Sequence, residues 1–542
     1  MTLFDAEIDG LYLLLPIILY AEIHYRIWHL FSRYFKREPE IVADVPHRKR
    51  VGSQLPVFIC VKDADKYPIT LNKIKIEAIN HNRILVAEKK YHLAISDSWW
   101  YDLFLCELKG LKGTVEIDVT ISYLCRGKEK ICVNDNYKLT SHKPFVVFCD
   151  EHPRPGLAGW VVGDMHTHSH LTNDHVEFGA PFEVSAAMAK AMELDFFAST
   201  DHSYDLDDCL DNYLRNDPTL PKWRLLWEQV EKLNKKHKDF VIVQGEELSV
   251  GNARCQNVHH LIFNNKQFFE GRGDSAEKWL DTKPQHTIKN IIALLEKEAL
   301  SFAAHPVCQP PLLQKLLINR GIWLDDDLAT PGLFGAQFWN GDKHHFLTIG
   351  LPKWIELLLN GHKIILIAGT DAHGNFNRFR QIGIPHLSMR EEQRELFGTS
   401  LTGVYIEGKL SLNSLIEGLR RGRVIVTDGP VAAFRFRPLT PGDERKTALR
   451  IGDSTTTTEG IIYMDVCSSP SFGEIKKIHL YIGNITAKKE TRRCLETPSG
   501  SFKVSQQELL RNCPRPGYVR LEVETGIDDQ SFICLTNPLY ID

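Results

Sequence analysis

Residues 160–168, WVVGDMHTH, read as an apolar strand that terminates in two histidines, His166 and His168. Side chains two apart on a strand share a face, so both imidazoles can converge on one metal ion at about 2.0–2.1 Å. The pattern recurs down the chain. Phe196–Ser199 runs into Asp201 and His202, Phe240–Val243 into Glu246 and Glu247, and Leu300–Ala304 into His305. Ile364–Ala368 runs into Asp371 and His373, again two apart, while His259 and His260 stand at the start of the strand Leu261–Phe263. One such histidine could be a satisfied core group; a set this large, placed at successive strand ends, points to a metal centre. Its nitrogen and oxygen ligands exceed the needs of a single tetrahedral ion, so two or three metals with bridging carboxylates are expected.

Working outward, helical stretches separate most of these strands: Pro181–Glu193, Pro221–His237, Thr287–Glu298, Pro311–Asn319 and Pro352–Leu359. With Gly332–Phe338 the strands number seven. Strand–helix repetition predicts parallel strands covered by helices, with functional residues at their C-terminal ends. Upstream, Val115, Ile117, Val119, Ile121 and Tyr123 alternate with polar residues, which describes half-buried antiparallel strands. The link HPRPGLAG, 152–159, separates that region from the metal motifs, and alternation returns after Pro438 at Val519, Leu521 and Val523. The expected architecture is therefore multidomain α/β plus β. Residues 1–46 form an apolar, helical segment, 47–155 a β-sandwich-like domain, 156–438 a distorted seven-stranded β/α barrel, and 439–542 a β-rich domain.

A chain of 542 residues is too long for one core. Its net charge of −4 and lack of a basic run disfavour nucleic acid as a partner. The 12 cysteines include no CxxC pair, as expected of reduced thiols in the cytoplasm. Leu11–Ala21, LYLLLPIILYA, is too short to span a bilayer and lacks a basic lead-in. It reads as a helix packed on the protein body; peripheral membrane contact, helped by Arg33, Lys36 and Arg37, is the alternative.

The metal motifs resemble, in order, those of the PHP (polymerase and histidinol phosphatase) superfamily. His166 and His168 match the first motif, Asp201-His202 the second, His305-Pro306 the third, and Asp371 and His373 the fourth. The segment LIEGLRRGRVIVTDGP, ending at Pro430, and the terminal SFICLTNPLYI resemble the carbaryl-hydrolase-like (CehA/McbA-type) branch. The resemblance implies a distorted (β/α)7 PHP barrel. It implies metal ligands at His166, His168, His202, Glu247, His305, Asp371 and His373, with Glu247 fitting a Gly-x-Glu pattern better than Glu246. It adds a ligand at Asp174 or His175 and another at His259 or His260; alternation leaves both choices open, and Asp174 and His259 are preferred.

The expected activity is metal-dependent hydrolysis by a hydroxide bridging two or three divalent ions, Zn, Mn or Fe. A small phosphoester is the family's default substrate, and carboxylic or carbamic esters are the alternative. His202, His305 or His373 would protonate the leaving group, and Arg378 and Arg380 would clamp a phosphate. A non-catalytic metal-binding scaffold and a nucleic-acid enzyme are the competing readings.

Overall fold

The computed structural model describes residues 38–80, 83–136, 142–173, 178–274, 281–378, 395–439 and 448–542. Leu11–Ala21, Asp174, His175 and Arg380 lie outside them. Where the sequence alternates, the strands are half buried. Gly113–Cys125 turns Val115, Ile117, Val119, Ile121 and Tyr123 inward and leaves the intervening residues partly or fully exposed. That strand lies in a six-stranded sheet with Ile69–Asn80 and Arg83–Ile95; a three-stranded sheet of Glu40–Asp44, Leu55–Lys62 and Trp99–Cys106 shares its core.

The metal motifs sit on a sheet of a different kind. Its strands are β1 (Trp160–His168), β2 (Phe196–Ser199), β3 (Val241–Gly251), β4 (Asn257–Phe263), β5 (Leu300–Ala303), β6 (Gly335–Asn340), β7 (Ile365–Gly369), β8 (Ala372–His373) and β9 (Leu401–Tyr405). The expected helix-rich (β/α)7 barrel is not what forms. The structure is 46% strand and 16% helix, and these strands make a curled half-barrel of mixed direction. β1–β2, β2–β3, β5–β6 and β6–β7 are parallel, whereas β3–β4, β4–β5 and β1–β9 are antiparallel. The curl is drawn together at two residue pairs, Thr167 with Ala372 and His168 with His373.

Two physical causes account for the difference. Only residues 252–256 join β3 to β4, too few for a crossover helix, so the pair must be a hairpin. Domains also cover the sheet where helices were expected. Val42, Phe58 and Cys60 of the N-terminal domain join the core formed by α1 (Phe182–Ala191) and α2 (Pro221–Lys236). Val162 of β1 joins the core of the C-terminal strands. The remaining helices are short; the expected helix at 287–298 shrinks to Ile288–Leu294. α2 itself is built as its sequence dictates: proline opens it, Trp223, Leu226, Val230 and Leu233 form its buried stripe, and Lys235 and Lys236 fall in its last turn.

The sheet does not end with β9. β9 pairs with β10 (Val424–Thr427), and β10 with β11 (Gln530–Thr536), which belongs to the C-terminal strands. Val431–Pro438, assigned from sequence to the barrel, pairs with Gly460–Cys467. Among the described residues, no helix is long and apolar enough to cross a membrane.

Candidate metal centre

Backbone bonds beyond the strand ends set the ligands in place. Thr200 N donates to Thr167 O at 2.8 Å, Glu247 N to Asp201 O at 3.0 Å, and Asp371 N to His166 O at 2.8 Å. Gly369 lets β7 approach this closely, since a Cβ there would lie 2.7 Å from His166 N. His305 (φ +26°) and Asp371 (φ +58°) hold left-handed backbone conformations that cost non-glycine residues about 1–3 kcal/mol each.

The side chains converge on two carboxylates. Glu247 Oε1 lies 2.6 Å from His259 Nδ1, 3.0 Å from His305 Nε2 and 3.5 Å from His166 Nε2. Its Oε2 lies 3.0 Å from His202 Nδ1 and 3.5 Å from His168 Nε2. Asp371 Oδ1 lies 3.0 Å from His168 Nε2 and 3.2 Å from His166 Nε2. His373 completes the group, its ring stacked on that of His168 with centroids 4.0 Å apart. Three overlapping sets could each hold an ion: His168, His202 and His373; His166, His168, Glu247 and Asp371; and His202, Glu247 and His259.

The donor atoms fit cations better than they fit one another. His202 Nδ1 and Glu247 Oε2 are buried and form no hydrogen bond, although they are 3.0 Å apart. His166 Nδ1 faces Gln337 Oε1 at 2.7 Å and His373 Nδ1 faces the Asp371 carbonyl at 3.0 Å. Those acceptors place a proton on Nδ1, so that in the neutral rings the lone pair is on Nε2, and in His166 a cation would have to displace the proton there. His259 is oriented likewise by Asp274 Oδ2, 2.9 Å from its Nε2.

The electrostatics agree. Burial raises the Glu247 carboxyl, but His259 and His166 outweigh it and hold the group well below its usual range. Burial lowers His166, yet Asp371 and Glu247 raise it to about 10. Burial, with His373 and His202 beside it, pushes His168 well down. The two carboxylates thus create a potential that demands positive charge, and metal ions would compete with a proton for it.

Among the paired alternatives, His259 faces the centre and His260 faces away, its ring edge-on to Trp323 at 5.4 Å. Burial pushes His260 down to about 3. The folded state therefore resists its protonation, and stability falls as pH drops from about 6.5 toward 3. His260→Phe should remove about 2 kcal/mol of the loss between pH 7 and pH 5, measured by denaturant unfolding at the two pH values; an unchanged slope would reject this. Glu246 also faces away, accepting from Ser203 Oγ at 3.0 Å, and burial pushes it up to about 8. Asp201 makes no approach to the centre. It organises the turn after His168, accepting from Ser169 N (2.6 Å), Ser199 Oγ (2.6 Å) and Thr172 N (3.2 Å).

Arg378 needs correction. It does not reach the metal cleft: its guanidinium is buried against Asp135 and the Lys143 carbonyl, with Cζ 4.7 Å from the Phe145 ring centre. It joins domains. A cation beside the centre is Arg320, which pairs with Asp274, the carboxylate that faces His259 Nε2. Arg320 lines a cleft of about 360 Å³ together with Tyr204, His305 and Trp323.

Sequence reading missed Arg320, Asp274 and the pair Gln337–Asn340. Gln337 Nε2 donates to Asn340 Oδ1 at 2.8 Å, and Asn340 Nδ2 to Asp371 Oδ2 at 3.4 Å, so one relay orients a histidine and a carboxylate. The signal was available, because Gln337 is a polar residue within the otherwise apolar run Gly335–Trp339 of β6. Gln337→Met should weaken metal affinity by about 10–100-fold, read by competition with a chelator; unaltered affinity would show the relay to be idle.

No protein-family model and no curated protein matches the chain. Three of the solved structures to which it is similar are remote. A Paenibacillus sp. cycloisomaltooligosaccharide glucanotransferase shares 9% identity at a TM-score of 0.17, with 93% of this chain and 71% of that one covered. A glycosyl hydrolase family 2 member from Bacteroides cellulosilyticus gives 9% and 0.16, covering 92% and 75%. The Escherichia coli alpha-2-macroglobulin gives 8% and 0.15, and this chain spans 24% of its length. Likenesses at these TM-scores carry no argument about fold or activity.

Proposed function

We propose that the chain is a metal-dependent hydrolase of ester bonds, of the kind its motifs' resemblance to the PHP superfamily implies, and that its substrate is a phosphoester. One observation carries this reading: six imidazoles and two carboxylates, drawn from several strands, converge, with acceptors on Nδ1 orienting His166 and His373. Divalent cations held there would supply Lewis acidity and acidify water. His166, His168, His202, Glu247, His259, Asp371 and His373 would hold them.

The protein's own groups perform the rest. Among the histidines proposed for proton transfer, His305 stands most open to the cleft, its side chain 15% exposed, and can deliver a proton to a leaving oxygen. Arg320 at the cleft wall favours an anionic ester over a neutral one. Tyr204, stacked on His202 at 4.6 Å, limits that ring's movement.

The test combines elemental analysis with hydrolysis of a phosphomonoester, a phosphodiester, a carboxylic ester and a carbamate, each with and without added Mn or Zn. Two or more metals per chain with turnover of a phosphoester supports the proposal. Cleavage of the carboxylic ester or carbamate alone would replace its substrate class. Bound metal with no cleavage of any substrate would overturn it in favour of a scaffold.

A further inference from the structure

A second cavity, of about 770 Å³, opens where the N-terminal domain, the segment after His373 and the C-terminal domain meet. Its walls carry Arg48, Lys143, Arg154 and Arg378 against one carboxylate, Asp428. Most of these charges are matched. Arg48 pairs with Asp150, Arg378 with Asp135, and Asp428 accepts from Lys343 at 2.8 Å and from Ile533 N at 2.7 Å.

Arg154 is different. Among the described residues its guanidinium makes no ion pair or hydrogen bond, and its Nε is buried without a partner. Its Cζ lies 5.4 Å from the Phe472 ring centre, while that of Arg48 lies 4.1 Å from the same ring. Two guanidiniums thus flank one phenyl group at the cavity wall. Burial, with Arg48 nearby, pushes Arg154 down to about 10. Burial likewise pushes His47 to about 4, with Arg48 and Arg154 adding to the effect. The walls are electropositive beyond what the protein neutralises.

A half-buried guanidinium whose Nε is enclosed without a partner retains unused donors, and an oxyanion in bidentate contact is the partner its geometry suits. The cavity is of the size of an organic-ligand site, and Phe148, Phe472 and Phe532 give it apolar surface. We propose that this cavity binds a small organic phosphate, with Arg154 as its anchoring side chain. The guanidiniums of Arg154 and Arg48, on either side of Phe472, suit the three terminal oxygens of a phosphate ester better than the two of a carboxylate. The site is separate from the metal centre and does not depend on the chemistry proposed there.

The experiment is calorimetric titration of the metal-loaded full chain with phenylphosphonate, a phenyl phosphate analogue without an ester bond to hydrolyse, inorganic phosphate and benzoate, on the wild type, Arg154→Gln and Arg154→Lys. Metal content is measured in each, so that binding at the metal centre is common to all. Phenylphosphonate should bind the wild type about tenfold or more tightly than R154Q, with R154K between them. Without ligand, R154Q should melt no lower than the wild type, because the substitution removes no ion pair or hydrogen bond of the guanidinium. Equal affinity in the wild type and R154Q, or no binding to either, would overturn the proposal. Benzoate bound as tightly as phenylphosphonate would overturn the phosphate assignment.

Discussion

Alanine at position 168 is expected to empty the centre. His168 Nε2 lies within 3.5 Å of His166, Glu247 and Asp371, and its residue belongs to two of the three ligand sets. Orienting groups behind a ligand cost about 10–100-fold in affinity or activity when removed, so a ligand shared by two sets should cost more than about a hundredfold in both. His168→Ala should retain less metal than the wild type after dialysis and lose hydrolysis to the same extent. Asp371→Ala should behave alike, since its carboxylate faces the same nitrogens. Full metal content and full activity in both variants would sink the assignment of this centre.

The second large effect is on stability. Asp164, buried beneath the first histidine, accepts from His166 N (3.2 Å), Thr370 N (3.0 Å), Gly398 N (3.0 Å) and the Thr370 hydroxyl. Burial pushes its carboxyl up to about 6 against the pull of these donors. Asp164→Ala would leave three backbone N–H groups without acceptors, at about 1–3 kcal/mol each. A loss of about 3–6 kcal/mol is expected from denaturant unfolding at constant m-value, with Asp164→Asn in between. A loss below about 1 kcal/mol would mean that water takes over the acceptor role.

The candidate site was more legible than the barrel that carries it, for a physical reason. Imidazoles two apart on an extended chain share a face whatever the neighbouring strand does, so the convergence of His166 with His168 could be read from spacing alone; Asp371 reaches the same nitrogens from a left-handed residue (φ +58°) that the spacing rule does not describe. Strand direction could not. All eleven residues of β3 are buried, Gln244, Glu246, Glu247 and Ser249 included, so no exposed face shows what lies on either side. The N-terminal domain was readable because Gly113–Cys125 has one wet face. Arg378 misled because proximity in sequence to His373 says nothing of direction; its side chain turns toward Asp135. Arg320 and Asp274 come from loops whose paths only the folded chain defines.

The continuity of the sheet bears on how the protein is made. β1, which presents the first two histidines, leans on β9, β9 on β10, and β10 on β11 at Gln530–Thr536. A chain emerging from the ribosome displays every residue of the candidate centre, His166 to His373, long before β11 exists. Until then β10 is an open edge, able to pair with another nascent chain. The scaffold is sealed only once Gln530–Thr536 has been made, far downstream of His373, and a chaperone or an early-bound cation has that interval to guard.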